Sequence, residues 1–283
     1  MAKGIKRSRL DAELVRRNLA RSREHASELI AAGKVKVSGT VATKPATGVG
    51  ADAPIVVDTS DIDDPNYASR GAYKLVGALE AFSGVLVKGR RTLDAGASTG
   101  GFTDVLLRKD AAHVIAVDVG YGQLVWSLQT DDRVTVMDRT NVRTLTLDDI
   151  GGEPVDLVVS DLSFISLTLV LPALIGVVKP DGDLVLMVKP QFEVGKERLG
   201  KGGVVRDPEL RADAVRGVAA KAAELGWGVE GVAASPLPGP SGNVEYFLWI
   251  RRSAPPLDET MLQTAVENGP PVRGGGAGKE KAQ

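Results

Sequence analysis

The chain of 283 residues contains no cysteine, so no disulfide can brace it and no thiolate can ligate a metal. It has only two histidines, His25 and His113, so a structural or catalytic zinc is not expected, nor any other metal site. Long hydrophobic runs are missing as well. The longest, Leu169 to Val178, is about half of the roughly 20 apolar residues that a membrane-spanning helix requires. The N-terminal M-A-K-G-I-K-R-S-R is charged with no apolar stretch behind it, so no secretory signal is expected and a soluble, cytoplasmic protein is. What remains is 43% hydrophobic, enough at this length for one large domain or two unequal ones.

The net charge of −1 conceals a division. Through Gly50 there are 11 lysines and arginines against 4 acids, a balance of +7, which leaves −8 for the rest of the chain. A small basic module beside an acidic body suggests that the module meets a polyanion. Within it Leu10, Leu14, Leu19, Ala26, Leu29 and Ile30 recur at helical spacing, with Ser22 placed to cap a second helix and Gly33 to end it. Short strands around Val35, Val37, Val41 and Val49 follow. The acidic stretch from Asp52 to Asn66 reads as a linker.

From Tyr67 the pattern predicts a helix and then alternation: strands near 91–95, 113–118, 134–138, 156–161, 183–189, 229–234 and 244–250, with helices near 101–109, 122–129, 166–178 and 207–225. Such alternation implies right-handed crossovers and a mostly parallel, seven-stranded α/β sheet covered on both faces, with a hairpin-like antiparallel ending. Beyond Arg252 the composition turns to Pro, Gly and charge and reads as a mostly disordered tail. The expected divisions are a small α+β domain at 5–58, a linker at 59–70, the α/β domain at 71–252 and the tail at 253–283.

The loop L-D-A-G-A-S-T-G-G-F, Leu93 to Phe102, lies where the first of these strands meets its helix. A phosphate-gripping loop would end in Lys-Ser or Lys-Thr, and none follows Gly101. A dinucleotide fingerprint needs a second glycine where Ser98 stands, so that backbone can approach a pyrophosphate. S-adenosylmethionine carries no phosphate and tolerates Ser98 and Thr99. The cofactor residues expected are therefore Asp94, Gly96, Ser98, Thr99, Gly100, Gly101 and Phe102. Asp118, ending the second strand, would take the ribose hydroxyls, and Asp138, ending the third, the adenine amine.

The segment from Arg9 to Val37 closely resembles the RNA-binding domain first described in the fourth small-subunit ribosomal protein. Downstream, S-R-G-A-Y-K-L, L-D-A-G-A-S-T-G-G-F-T, D-V-G-Y-G-Q-L, S-D-L-S-F-I-S, V-K-P-Q-F-E and G-P-S-G-N-V-E-Y-F-L-W resemble the TlyA family over roughly Arg7 to Arg252. The resemblance implies a Rossmann-like class I methyltransferase fold and 2′-O-methylation of ribose in ribosomal RNA, on cytidines of 16S or 23S RNA, with S-adenosyl-L-methionine as donor. It implies a catalytic set of Lys74, Asp161, Lys189 and Glu245. Family members often labelled hemolysins make a membrane-active protein the alternative, and an RNA-binding protein with a degenerate catalytic domain a further one.

Chemistry supports the implied set. A ribose hydroxyl is a weak nucleophile, and methyl transfer to it needs in-line placement and removal of a proton. A free lysine, with a pKa of about 10.4, is a poor base at neutral pH, but a second cation and partial burial lower it. Lys189 is the expected base and Lys74 its modulator, with Asp161 and Glu245 orienting the ammonium groups. Asp161-Leu162-Ser163-Phe164 lacks the Pro-Pro clamp of amino-methyltransferases, and the absence of cysteine removes the covalent route to pyrimidine carbon-5, which leaves oxygen as acceptor.

For RNA contact the candidates are Arg7, Arg9, Arg21, Ser22, Arg23, Lys34, Lys36 and Arg70. The family's linker carries Arg-x-Trp before Val-Ser-Arg. Here Pro65-Asn66-Tyr67-Ala68-Ser69-Arg70 keeps the aromatic and Arg70 and lacks the first arginine.

Overall fold

The computed structural model describes residues 7–17, 19–20, 23–50, 53–58, 66–200 and 202–270. The chain divides into two compact units, Met1–Ser69 and Arg70–Gln283. Much of the expected linker at 59–70 lies outside the described residues, and Arg70 already belongs to the second unit.

In the first unit, strand β1 (Arg7–Arg9) leads into helices α1 (Leu10–Arg16) and α2 (Arg23–Ala31), followed by β2 (Val35–Val37), β3 (Thr40–Val41), β4 (Gly48–Gly50) and β5 (Ile55–Val57). The helical spacing read from the sequence is the core: Leu10, Leu14, Ala26, Leu29 and Ile30 are buried together with Val35 and Val49. β1 pairs with β4, while β2 sits between β3 and β5, all antiparallel. The expected cap Ser22 lies outside the described residues.

The second unit opens with α3 (Ala72–Ala81) and continues β6 (Arg91–Ala95), α4 (Gly101–Arg108), β7 (His113–Val117), α5 (Trp126–Gln129), β8 (Val134–Met137), β9 (Val155–Ser160), α6 (Leu167–Val177), β10 (Val178–Val188), α7 (Pro190–Glu193), α8 (Pro208–Glu224), β11 (Gly228–Ala234), β12 (Tyr246–Arg251) and α9 (Glu259–Glu267). Its seven strands are ordered β11-β12-β10-β9-β6-β7-β8. β6 pairs in parallel with both β7 and β9, so the chain winds outward to β8 and then crosses to the other side of β6. That reversal opens a crevice at the carboxyl ends of β6 and β9.

The antiparallel ending takes a specific form. β12 inserts between β10 and β11 and runs antiparallel to both. Its side chains alternate between faces as a strand requires. Tyr246, Leu248 and Ile250 enter the aliphatic core shared with α6 and α8. On the other face Glu245 meets Lys74, Phe247 stacks on Phe102 at 6.2 Å and Trp249 meets Phe82 at 5.8 Å.

The tail is not as the composition suggested. Within the expected disordered stretch 253–283, α9 forms a regular helix, with Asp258 capping the Thr260 and Met261 N–H groups. Leu262, Ala265 and Val266, at helical spacing behind that cap, are buried in the main core. Pro255, Pro256 and the glycines beyond 268 hid three apolar positions that cover β11. The last residues, 271–283, lie outside the described residues. Leu262 is 1% exposed, so Leu262→Ala should cost about 2–5 kcal/mol in urea unfolding. A variant as stable as the wild type would show that α9 does not belong to the core.

Candidate active site

Four charged side chains from distant parts of the sequence meet where α3, β12, β9 and β10 converge. Lys74, in the first turn of α3, places Nζ 2.6 Å from Glu245 Oε2 and 3.8 Å from Asp161 Oδ2. Lys189, the residue after β10, places Nζ 2.6 Å from Asp161 Oδ1 and donates to Ser163 Oγ at 2.8 Å. The result is an alternating row, Glu245, Lys74, Asp161, Lys189, of two cations and two anions. Lys74 and Lys189 are 7% and 6% exposed and Glu245 is fully buried. Charges removed from water to this degree persist only when paired, because an isolated one would cost several kcal/mol. The row therefore has Asp161 between the two ammonium groups, where the sequence led us to expect two lysines side by side.

Residues not singled out from the sequence complete the row. Met187 presents its sulfur 3.8 Å from Lys74 Nζ, and Gln191 Nε2 lies 3.5 Å from Glu245 Oε1. Gly239 is where the loop after β11 passes over Glu245: a Cβ there would sit 2.5 Å from Glu245 Oε1. That glycine opens the G-P-S-G-N-V-E motif, but the close approach is what gives it a role here.

Beside the row lies a cleft of about 540 Å³, lined by Gly96, Ser98, Asp118, Asn141, Asp161 and Phe164, among others. Gly96 adopts φ +90°, and a Cβ on it would stand 3.0 Å from the Asp161 carbonyl oxygen and 3.1 Å from the Leu162 side chain. A side chain at this position would press into the Asp161 loop, so glycine lets the two loops meet at the wall of the cleft. Asp118 holds that loop in place: Oδ2 accepts the Ser98 N–H at 2.8 Å and Oδ1 the Gly120 N–H at 2.6 Å. Each oxygen keeps a further lone pair for a hydroxyl donor. Phe164, at φ +64°, is 91% exposed at the cleft.

The remaining expected cofactor residues divide. Thr99 is exposed, whereas Gly100, Gly101 and Phe102 are buried behind the loop. Asp94 is fully buried and accepts the Thr103 hydroxyl at 2.7 Å, so it supports the loop from beneath. Asp138 accepts the Gly122 N–H at 2.8 Å and is not part of the cleft lining, which Thr140, Asn141 and Arg143 form on that side.

In the first unit Arg9 and Arg23 both pair with Asp11, at 2.9 and 3.0 Å, while remaining half exposed. The two guanidinium groups, Arg9 foremost, hold the Asp11 carboxyl well below the usual carboxylate range. Arg16 and Arg17 do the same for the buried Glu13, bringing it down to about 2. These arginines are thus pre-positioned by buried acids. Lys36 is exposed and Lys34 half-buried, and Arg70 is exposed at the start of the second unit. Arg7 lies in β1, its side chain outside the description, and Arg21 lies outside the described residues altogether.

Comparison with known proteins gives the family. Residues 67–252 match the FtsJ-like methyltransferase model and residues 8–55 the S4 domain. Over 271 residues, 94% of this chain and 99% of the relative, the sequence is 60% identical to the 16S/23S rRNA (cytidine-2′-O)-methyltransferase TlyA of Mycobacterium tuberculosis. The chain belongs to the TlyA family of FtsJ-like methyltransferases. Another relative carries a different name: Hemolysin A of Brachyspira hyodysenteriae, 35% identical over 84% of this chain and 98% of its own. The solved structure of a Streptococcus thermophilus protein described as a candidate hemolysin superposes with a TM-score of 0.73, at 36% identity, over 93% of this chain and 96% of the other. Among the described residues of this family member no helix is long and apolar enough to cross a membrane.

Burial pushes the Asp94 carboxyl up to about 7, against the opposing bond from Thr103. From the ordinary carboxylate range up to that value, the folded protein keeps a proton that the unfolded chain has released. The wild type therefore loses stability as pH rises through the window and levels off above it. Asp94→Asn should escape the loss, gaining about 2–4 kcal/mol on the wild type between pH ~4 and ~7 in denaturant titrations. A difference that does not change with pH would contradict the assignment.

Proposed function

We propose that this protein transfers a methyl group to the 2′-oxygen of cytidine riboses in ribosomal RNA, with S-adenosylmethionine as donor. The observation that carries the reading is the alternating row of Lys74, Asp161, Lys189 and Glu245 set against a cleft whose glycine wall excludes side chains. S-adenosylmethionine, when bound, supplies a methyl group on a sulfonium, an electrophile that needs no metal. Gly96, Ser98 and Asp118 would hold it, with the spare lone pairs of Asp118 turned to its ribose hydroxyls.

The roles of the charged residues follow from their burial. Asp161 lines the cleft and its side chain is 23% exposed, so it can accept the hydrogen bond of an incoming 2′-hydroxyl. Glu245 is fully buried and cannot touch a substrate; it anchors Lys74. Lys74 in turn faces the Asp161 oxygen that Lys189 does not use, fixing that carboxylate from the other side. Lys189, held by Asp161 and Ser163 at the cleft edge, acts in its neutral amine form: its nitrogen lone pair takes the hydroxyl proton and becomes the ammonium paired with Asp161, as the carbon–oxygen bond forms and the carbon–sulfur bond breaks.

The substrate comes from the first unit and from the relatives. A polyanion suits the exposed arginines that Asp11 and Glu13 hold in place, and the S4 domain match and the name of the Mycobacterium tuberculosis relative support ribosomal RNA. Such an enzyme works in the cytoplasm, where ribosomes are assembled.

Lys189→Ala should lower kcat on ribosomal RNA by about 10²–10⁴-fold while leaving the Kd for S-adenosylmethionine, read by calorimetry, within about threefold. Retained kcat would remove Lys189 as the base.

A further inference from the structure

Lys189 is 2.6 Å from Asp161 and 2.8 Å from Ser163, and these contacts join the end of β10 to the loop that leaves β9. They are also the contacts whose charge changes when a proton is taken up. A geometry that must survive such a change needs a second tie, away from the reacting groups.

Glu193 supplies one. It is the last residue of α7, four positions beyond Lys189, and its carboxylate reaches the far end of the β9 loop. Oε1 accepts the Leu167 N–H at 2.8 Å and Oε2 accepts the Ser166 hydroxyl at 2.5 Å. Ser166 is the N-cap of α6 and Leu167 its first residue, so the carboxylate takes one otherwise unsatisfied N–H, that of Leu167, and the hydroxyl of the cap at the positive end of an 11-residue helix. Burial pushes its carboxyl up while both bonds oppose the shift, as expected for an acid placed to accept. The residues before it serve the same site: the Phe192 ring meets Phe164 at 5.3 Å, and Gln191 lies 3.5 Å from Glu245. Three successive side chains thus touch Glu245 of the charged row and two points, Phe164 and the Ser166–Leu167 helix start, of the chain that follows Asp161.

We propose that Glu193 is a positioning residue: it fastens the Asp161–Ser166 loop to the strand end that carries Lys189, so that Asp161 and Ser163 keep their places through turnover. This rests on the roles given above to Lys189 and Asp161. Glu193 itself touches neither substrate nor donor.

The test compares wild type, Glu193→Gln and Glu193→Ala at a temperature where circular dichroism shows all three folded. Steady-state methyl transfer to ribosomal RNA is measured alongside hydrogen exchange of the peptide spanning 161–167. Glu193→Ala should lose about a hundredfold in kcat, keep both KM values within about threefold, and exchange its loop amides at least about tenfold faster. Glu193→Gln keeps an acceptor for Leu167 and should recover to within about tenfold of wild-type kcat with the loop protected. An active wild type matched by Glu193→Ala in kcat and exchange would overturn the clamp alone, as would equal losses in the two variants. A wild type that transfers no methyl, with the loop still loosened only in Glu193→Ala, would overturn the proposed function and leave the clamp standing.

Discussion

Two lysines lie almost out of water at the carboxyl end of a sheet, and the groups around the site pair with them and hold them in place. An ammonium group cannot be carried into such surroundings alone, since its desolvation costs several kcal/mol. Glu245 answers Lys74 and Asp161 answers Lys189, and Asp161 also faces Lys74. The order of the row matters. With the fully buried Glu245 at one end and Asp161 reaching the cleft, only one carboxylate is open to an incoming hydroxyl.

The topology is what brings these groups together. Insertion of β12 between β10 and β11 puts Glu245 next to the strand that ends in Lys189, and period-2 alternation turns it toward α3 rather than toward the core. The reversal of winding at β6 places the Gly96 loop against the Asp161 loop, close enough that a Cβ would intrude. The Gly96 loop and the Asp161 loop are therefore two sides of one wall. In the first unit, arginines are fixed by Asp11 and Glu13, which leaves them less rotamer freedom to lose in any contact they make.

Some of this was legible in the sequence and some was not, for physical reasons. The strands could be placed because their aliphatic runs end in Asp94, Asp118, Asp138 and Asp161, where the chain leaves the core. The Gly96 loop was legible because backbone conformation is written locally, in glycine. The pairing of Lys74 with Glu245, 171 residues apart, was not read from the chain: resemblance to a family put both residues in one set without saying which groups pair. Asp94 was expected at the cofactor and lies buried beneath the loop, because a strand-end acid can turn either way and Thr103 draws it inward. Glu193 was not singled out because α7 spans only four residues, too few for any periodicity, and Ser163 because it lies in the loop after β9, which has none. The helix α9 was hidden by composition, since prolines and glycines on either side outweighed the three apolar residues that bury it.

The central claim is that the row of lysines and carboxylates directs a methyl group to a ribose oxygen. Ribosomal subunits incubated with the protein and isotopically labelled S-adenosylmethionine, then digested to nucleosides and resolved by mass spectrometry, test it most directly. The account predicts label in 2′-O-methylcytidine. Label in a base-methylated nucleoside, or none in ribosomal RNA, would contradict it.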